Sequence, residues 1–162
     1  MAEKSKQQES AARPEFRMQK MFIKDFSFEN PNAPEVYITP QKAEPKVELN
    51  LNLKHTALEN DHYDVTLQID AKVLTKDDEK VLFILEIEHS GIFLIRNVPK
   101  EHLEMVLAVD CPTLLFPFSR QIVSQITVDG GFSPFLMEPV NFMALYQNAK
   151  AQKEQKEQQK NN

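Results

Sequence analysis

"IKDFSFENPNAPEVYITPQKAEP" (residues 23–45) decides how this chain folds. Residues 21–29 alternate with period two: Phe22, Lys24, Phe26 and Phe28 share one face, and Ile23, Asp25, Ser27 and Glu29 share the other. That is a β-strand with one covered face. Residues 30–45 then hold Pro31, Pro34, Pro40 and Pro45. So much proline excludes a strand, and the segment is too long for a hairpin loop. It reads as a crossover that returns the first strand to the far side of a sheet.

Three more stretches alternate in the same way. "KVELNLNLK" (46–54) sends Val47, Leu49, Leu51 and Leu53 inward. "HYDVTLQIDAKV" (62–73) buries Tyr63, Val65, Leu67, Ile69, Ala71 and Val73. "KVLFILEIEHS" (80–90) buries Val81, Phe83, Leu85 and Ile87 and turns Leu82, Ile84, Glu86 and Glu88 outward. Polar turns at 59–62 and 75–79 join these three into a meander. With the crossover, the predicted order is 1-4-3-2, antiparallel throughout.

Helices follow, so the predicted class is α+β. "PKEHLEMVLAV" (99–109) reads as a short amphipathic helix with Pro99 in its first turn. "TLLFPFSRQIVSQITV" (113–128) reads as a longer one capped by Thr113. Its Leu115, Phe118, Ser119, Ile122 and Ile126 form one apolar stripe. "DGGF" (129–132) ends it, and a C-terminal helix over 139–150 starts from Asn141. Residues 1–18 are expected as a flexible arm, 19–150 as one domain and 151–162, "AQKEQKEQQKNN", as a flexible tail or a frayed extension of the last helix.

Charge is unevenly spread. Residues 1–20 and 147–162 each carry a net +2, which leaves −9 on residues 21–146. Such a body repels nucleic acid and attracts basic or zinc-rich polypeptides, although it equally serves solubility. The single cysteine, Cys111, excludes an internal disulfide and fits a reducing cytoplasm. No uninterrupted aliphatic run approaches the roughly 20 residues that span a bilayer.

Reactive chemistry is sparse. With three glycines in all, phosphate-cradling loops have no material, and the four histidines show no metal-ligand spacing. Cys111 reads better as a buried inert thiol than as a nucleophile. No cofactor and no metal is expected. A sheet wrapped on a long helix also occurs in hotdog-fold thioesterases, so an acyl-handling domain is the runner-up. Against it, residues 113–128 contain no carboxylate.

The outward faces carry more. If the first and fourth strands pair, one wet face gathers Asp25, Glu29, Glu86 and Glu88 around Ile23, Leu82 and Ile84. Asp25 and Glu29 lie about 13 Å apart at the usual strand rise. Clustered like charges around exposed aliphatics suit docking better than stability, unless a helix or another subunit covers them. Phe, Met and Pro also crowd the crossover and "GGFSPFLMEPVNF" (130–142), which suits either an adaptable apolar groove or an ordinary core beneath a loop.

In order and spacing, "KDFSFENPNAP" (24–34), "GIF" (91–93), "CPTLLFPFSRQ" (111–121), the Gly-Gly-Phe of 130–132 with Pro134, and "PVNFMALY" (139–146) closely resemble the SecB protein-export chaperones. The resemblance spans about residues 20–148. It implies a cytoplasmic, ATP-independent chaperone, a homotetramer arranged as a dimer of dimers. Such a chaperone holds unfolded precursor proteins and passes them to the translocase motor SecA. It further implies a SecA-docking set of Asp25, Glu29, Ile84 and Glu86, aimed at SecA's basic C-terminal zinc-binding segment. A client groove is expected from Phe83, Leu85, Ile87, Phe135, Leu136, Phe142 and Leu145. An oligomer interface is expected from Leu115, Phe118, Ile122 and Ile126. This chain departs from the family pattern in having Ser90 where a first glycine is expected, no Trp in the crossover, and a Lys/Gln/Glu-rich tail.

Overall fold

Four antiparallel strands pair in the order β1-β4-β3-β2 in the computed structural model, which describes residues 12–40, 43–77 and 79–161. They are β1 (Glu15–Glu29), β2 (Lys46–Ala57), β3 (His62–Leu74) and β4 (Val81–Arg96). The order is the predicted one, with the crossover between β1 and β2. β1 starts at Glu15, inside the stretch expected as an arm; residues 1–11 lie outside the described residues. The β2–β3 turn uses Asn60 and Asp61 at φ 56° and 60°, a left-handed conformation that Asn and Asp tolerate.

The crossover is anchored. Its single helical turn, α1 (Glu35–Ile38), buries Val36. Asn32 Nδ2 donates to the Val81 carbonyl at 2.7 Å. The Tyr37 hydroxyl accepts from the Asn30 amide and donates to the Gly130 carbonyl at 2.5 Å. Gly131, at φ 84°, lets the chain turn against the Tyr37 ring, where a Cβ would sit 3.0 Å from that ring. Phe132 then packs between Tyr37 and Phe83, with ring centroids 5.5 and 5.0 Å away.

Helix α2 (Lys100–Met105), a π-turn (Val106–Asp110) and α3 (Cys111–Asp129) run without a break. Two separate helices, 99–109 and 113–128, were expected, and Pro112, which cannot donate a helical hydrogen bond, lies between them. Instead the ladder widens ahead of it: the Cys111 N–H donates to Val106 O, five residues back. Thr113 is therefore not a cap, and its hydroxyl donates to the Val109 carbonyl at 2.5 Å. This 30-residue helix is long and apolar enough to cross a bilayer, yet it lies on the sheet. Leu115, Phe116 and Val123 cover Leu67, Ile69, Leu85 and Ile87, while Leu107 and Cys111 cover Val65, Phe93 and Ile95. The last helix, α4 (Phe142–Lys160), begins at Asn141, whose side chain accepts from the Ala144 N–H at 3.0 Å. It continues through most of the stretch expected as a tail.

Two bulges overturn parts of the alternation. Lys24 is the extra residue between the pairs Ile23–His89 and Asp25–Glu88. Ile23 therefore shares the helix-covered face with His89, and Lys24 reaches across the opposite face to Asp64; both assignments were expected the other way. Leu82 is skipped between the pairs Leu74–Val81 and Val73–Phe83, and it is buried rather than outward.

Candidate functional site

The uncovered face of the sheet holds the sequence-predicted docking residues together. Cross-strand pairing sets Asp25 opposite Glu88, Ser27 opposite Glu86 and Glu29 opposite Ile84. Partners opposite each other point to the same side, so Asp25, Glu29, Ile84 and Glu86 share one face. Asp70, opposite Glu86 on β3, adds a further acid that the resemblance did not suggest. Asp25, Gln68, Asp70, Glu86 and Glu88 rim a shallow depression of about 120 Å³. Lys54 approaches Glu88 at 3.7 Å. Among the described residues, Asp25, Glu29, Asp70 and Glu86 have no ion-pair partner. Ile23 and Leu82, expected on this face, are absent from it for the bulge reasons given above.

An apolar groove lies on the other side, at the opposite edge of the sheet. Leu51 and Leu53 of β2 face Ala108, Phe142, Leu145, Tyr146 and Ala149 across a space of about 350 Å³. Val47 and Leu49 continue the same strand face and remain 42% and 46% exposed, although alternation sends them inward. The helices cover β3 and β4 and stop short of β2. Of the expected groove set, Leu136 and Leu145 are open at 61% and 51%, Phe135 is half-buried, and Phe142 forms the groove floor while itself buried. Phe83, Leu85 and Ile87 are corrected: at 4% exposure or less they belong to the core beneath α3 and offer no surface. Leu51 and Leu53 were missed as groove residues because their alternation is the same whether or not a helix arrives to cover them.

A second apolar groove, of about 450 Å³, runs between β1 and α3 and is lined by Ile23, Phe26, Ile122 and Ile126 with Gln121, Gln125 and Asp129. Phe118 projects from α3 at 42% exposure. The expected interface stripe thus splits. Leu115 is fully buried against its own sheet, while Phe118, Ile122 and Ile126 keep free surface.

The buried polar groups are structural. His89 Nδ1 meets Ser119 Oγ at 2.7 Å between sheet and helix, and burial pushes its pKa down from the ordinary 6.5. Burial, reinforced by the Asp110 charge, pushes the Cys111 thiol up to about 12. Such a thiol is protonated and inert at neutral pH. No group of three or more His, Cys, Asp or Glu able to hold a metal exists among the described residues.

A sheet with an open apolar edge on its covered side and unpaired acids on the other is laid out to bind polypeptide. Proteins of similar sequence and fold give that class its name. The profile of the SecB family, the preprotein translocase subunit SecB, matches residues 8–153. The chain is 63% identical to the protein-export protein SecB of Desulfotalea psychrophila, over 96% of this chain and 97% of that one. It is 44% identical to that of Magnetococcus marinus, over 92% and 93%. The fold is shared with a SecB-like chaperone of Mycobacterium tuberculosis, solved in complex with an antitoxin peptide, at a TM-score of 0.63 and 14% identity over 77% of this chain and 90% of that one. The chain belongs to the SecB family of protein-export chaperones. The hotdog reading has no support in these likenesses.

Proposed function

We propose that this chain is an ATP-independent, non-enzymatic holdase of the cytoplasm that binds unfolded precursor proteins, keeps them fit for translocation and delivers them to SecA. The observation that carries the reading is the open groove along β2. An extended client can lay apolar side chains against Leu51, Leu53, Leu145 and the uncovered Val47 and Leu49, and against the expected groove residues Phe135 and Leu136 of the loop before α4. β2 is also an edge strand, so its free backbone groups can pair with the client main chain whatever its sequence. Each Leu-sized client side chain buried there contributes about 1.5–3 kcal/mol.

The opposite face, with Asp25, Glu29, Ile84 and Glu86, is the docking surface for the basic zinc-binding C-terminal segment of SecA. Acids supply steering and register, and Ile84 an apolar anchor. The groove of Ile23, Phe26, Ile122 and Ile126, with Phe118 beside it, is where copies associate into a dimer of dimers. A body with a net charge of −9 favours neither nucleic acid nor an anionic bilayer.

Light scattering combined with refolding of a slow-folding precursor tests this. A particle near four times 18.7 kDa that arrests refolding without nucleotide is expected. A monomer that leaves refolding untouched overturns it, and ester hydrolysis by that monomer would restore the acyl-handling reading.

A further inference from the structure

The alternation of β1 breaks at Gln19 and again at Lys24, and Lys24 makes the shortest ion pair in the described structure. Its Nζ lies 2.7 Å from Asp64 Oδ2 and 3.4 Å from Thr66 Oγ1, two strands away on β3. Asp64 is only 17% exposed at its side chain. Thr66 Oγ1 also meets Asp64 Oδ1 at 3.3 Å and Ser90 Oγ at 2.6 Å, and Ser90 is fully buried. Lys24 therefore reaches from the edge strand over β4 and closes a polar cluster on β3 and β4.

Placement of the bulge has a directional consequence. In a strand the side-chain period is two, so where the extra residue sits decides which face each flanking residue takes. With Lys24 as the extra residue, Ile23 points to the helices while Asp25 points to the open face beside Glu88. We propose that Lys24, pinned on Asp64, is a positioning residue that fixes the bulge and thereby presents Asp25 and its strand-mates to the docked partner. The proposal rests on the reading of the open face as the docking surface for a basic segment.

Charge and position make opposite predictions here, which renders the proposal testable. Lys24→Met removes a cation from an acidic face. If charge alone mattered, a basic partner would bind as tightly or more tightly. If Lys24 positions the strand, binding weakens, on the order of fivefold for a partly buried ion pair of this kind. The probe is the zinc-loaded C-terminal segment of SecA, titrated calorimetrically into the full chain. Lys24→Arg, which keeps the pair, is expected to restore affinity. Should Lys24→Met alone fold poorly, Lys24→Met with Asp64→Leu removes both partners without stranding a carboxylate, and it is expected to bind as weakly. Unchanged or tighter binding by these variants overturns the proposal and leaves the docking reading intact, provided that Asp25→Asn with Glu29→Gln and Glu86→Gln still loses binding. If that acid-free variant binds like the parent, the docking reading fails and the proposal falls with it.

Discussion

Glu29 stands directly across from Ile84 on the open face of the sheet, with Glu86 two positions further along β4. A carboxylate beside a half-buried aliphatic gives little to the fold, since Glu29 has no ion-pair partner among the described residues. In the proposed docking it would give a basic polypeptide both an attraction and a contact. Replacing Asp25, Glu29 and Glu86 with their amides is expected to weaken SecA-segment binding by about tenfold or more and to flatten its salt dependence. Client arrest should persist. Titrations at low and high salt check this, and unaltered affinity would return the acids to simple solvation.

The groove and the core make different predictions for residues of similar chemistry. Leu49 and Leu145 are about half exposed, so Leu49→Ser with Leu145→Ser should cost roughly 0.5 kcal/mol or less per site in stability. The same variant should hold clients poorly. Phe83→Ala should instead cost about 3–5 kcal/mol, because it opens a cavity between Phe28 and Phe132. Denaturant melts and refolding arrest, run side by side, separate the two effects. A Leu49/Leu145 variant that arrests refolding normally would move the client site elsewhere.

His89 ties stability to pH. Burial depresses its folded pKa below 6.5, so the unfolded chain takes up the proton first as pH falls. The contribution of neutral His89 is full above about 6.5 and is lost progressively below it. Urea midpoints should therefore drop between about pH 7.5 and 5.5, and His89→Gln should flatten the drop. A slope identical in parent and variant would assign the pH dependence to other groups.

Cys111 should be silent towards thiol reagents while the chain is folded. It is fully buried and its pKa is pushed up to about 12, so almost no thiolate exists near pH 8. Alkylation should proceed only at the rate of unfolding, and denaturant should restore an ordinary rate. Fast labelling of the native protein would place the helix–sheet seam in frequent local opening.

Much of this architecture can be read from residue order. Period-two alternation locates all four strands, and the proline-rich stretch gives the crossover and hence the strand order. What escapes has a common cause: a local pattern cannot register one extra residue. Lys24 and Leu82 look like ordinary members of their runs, yet each shifts the phase of its neighbours. Pro112 looks like a helix end because the wide turn before it leaves no compositional mark. Val47 and Leu49 look buried because alternation reports which face a side chain takes, and only the assembled helices decide whether that face is covered. For the proposed docking residues, alternation alone puts Asp25 with Glu29 and Ile84 with Glu86 on one side of each strand, and the pairing of β1 with β4 brings them within reach of each other. The misassigned groove residues Phe83, Leu85 and Ile87 are a different case, since their own periodicity already marks them as interior.

The wide turn at Val106–Asp110 also governs where this helix can change length. Counting by fours from Leu103 gives Leu107, Cys111, Leu115, Ser119, Val123 and Thr127, and all six are buried. In a regular helix a row spaced by four drifts about 40° per step, so Leu107 and Leu115, two steps apart, would lie about 80° out of phase. The wide turn returns roughly one residue of rotation, ~100°, and so keeps Leu107 and Leu115, on either side of it, on nearly the same face. One residue deleted within Val106–Asp110 would regularise the turn and leave both flanking faces where they are. The same deletion a turn later would rotate every following side chain, including the His89 partner Ser119, off its contact. Among natural length variants of this helix, the turn is therefore the place where a single-residue gap can persist.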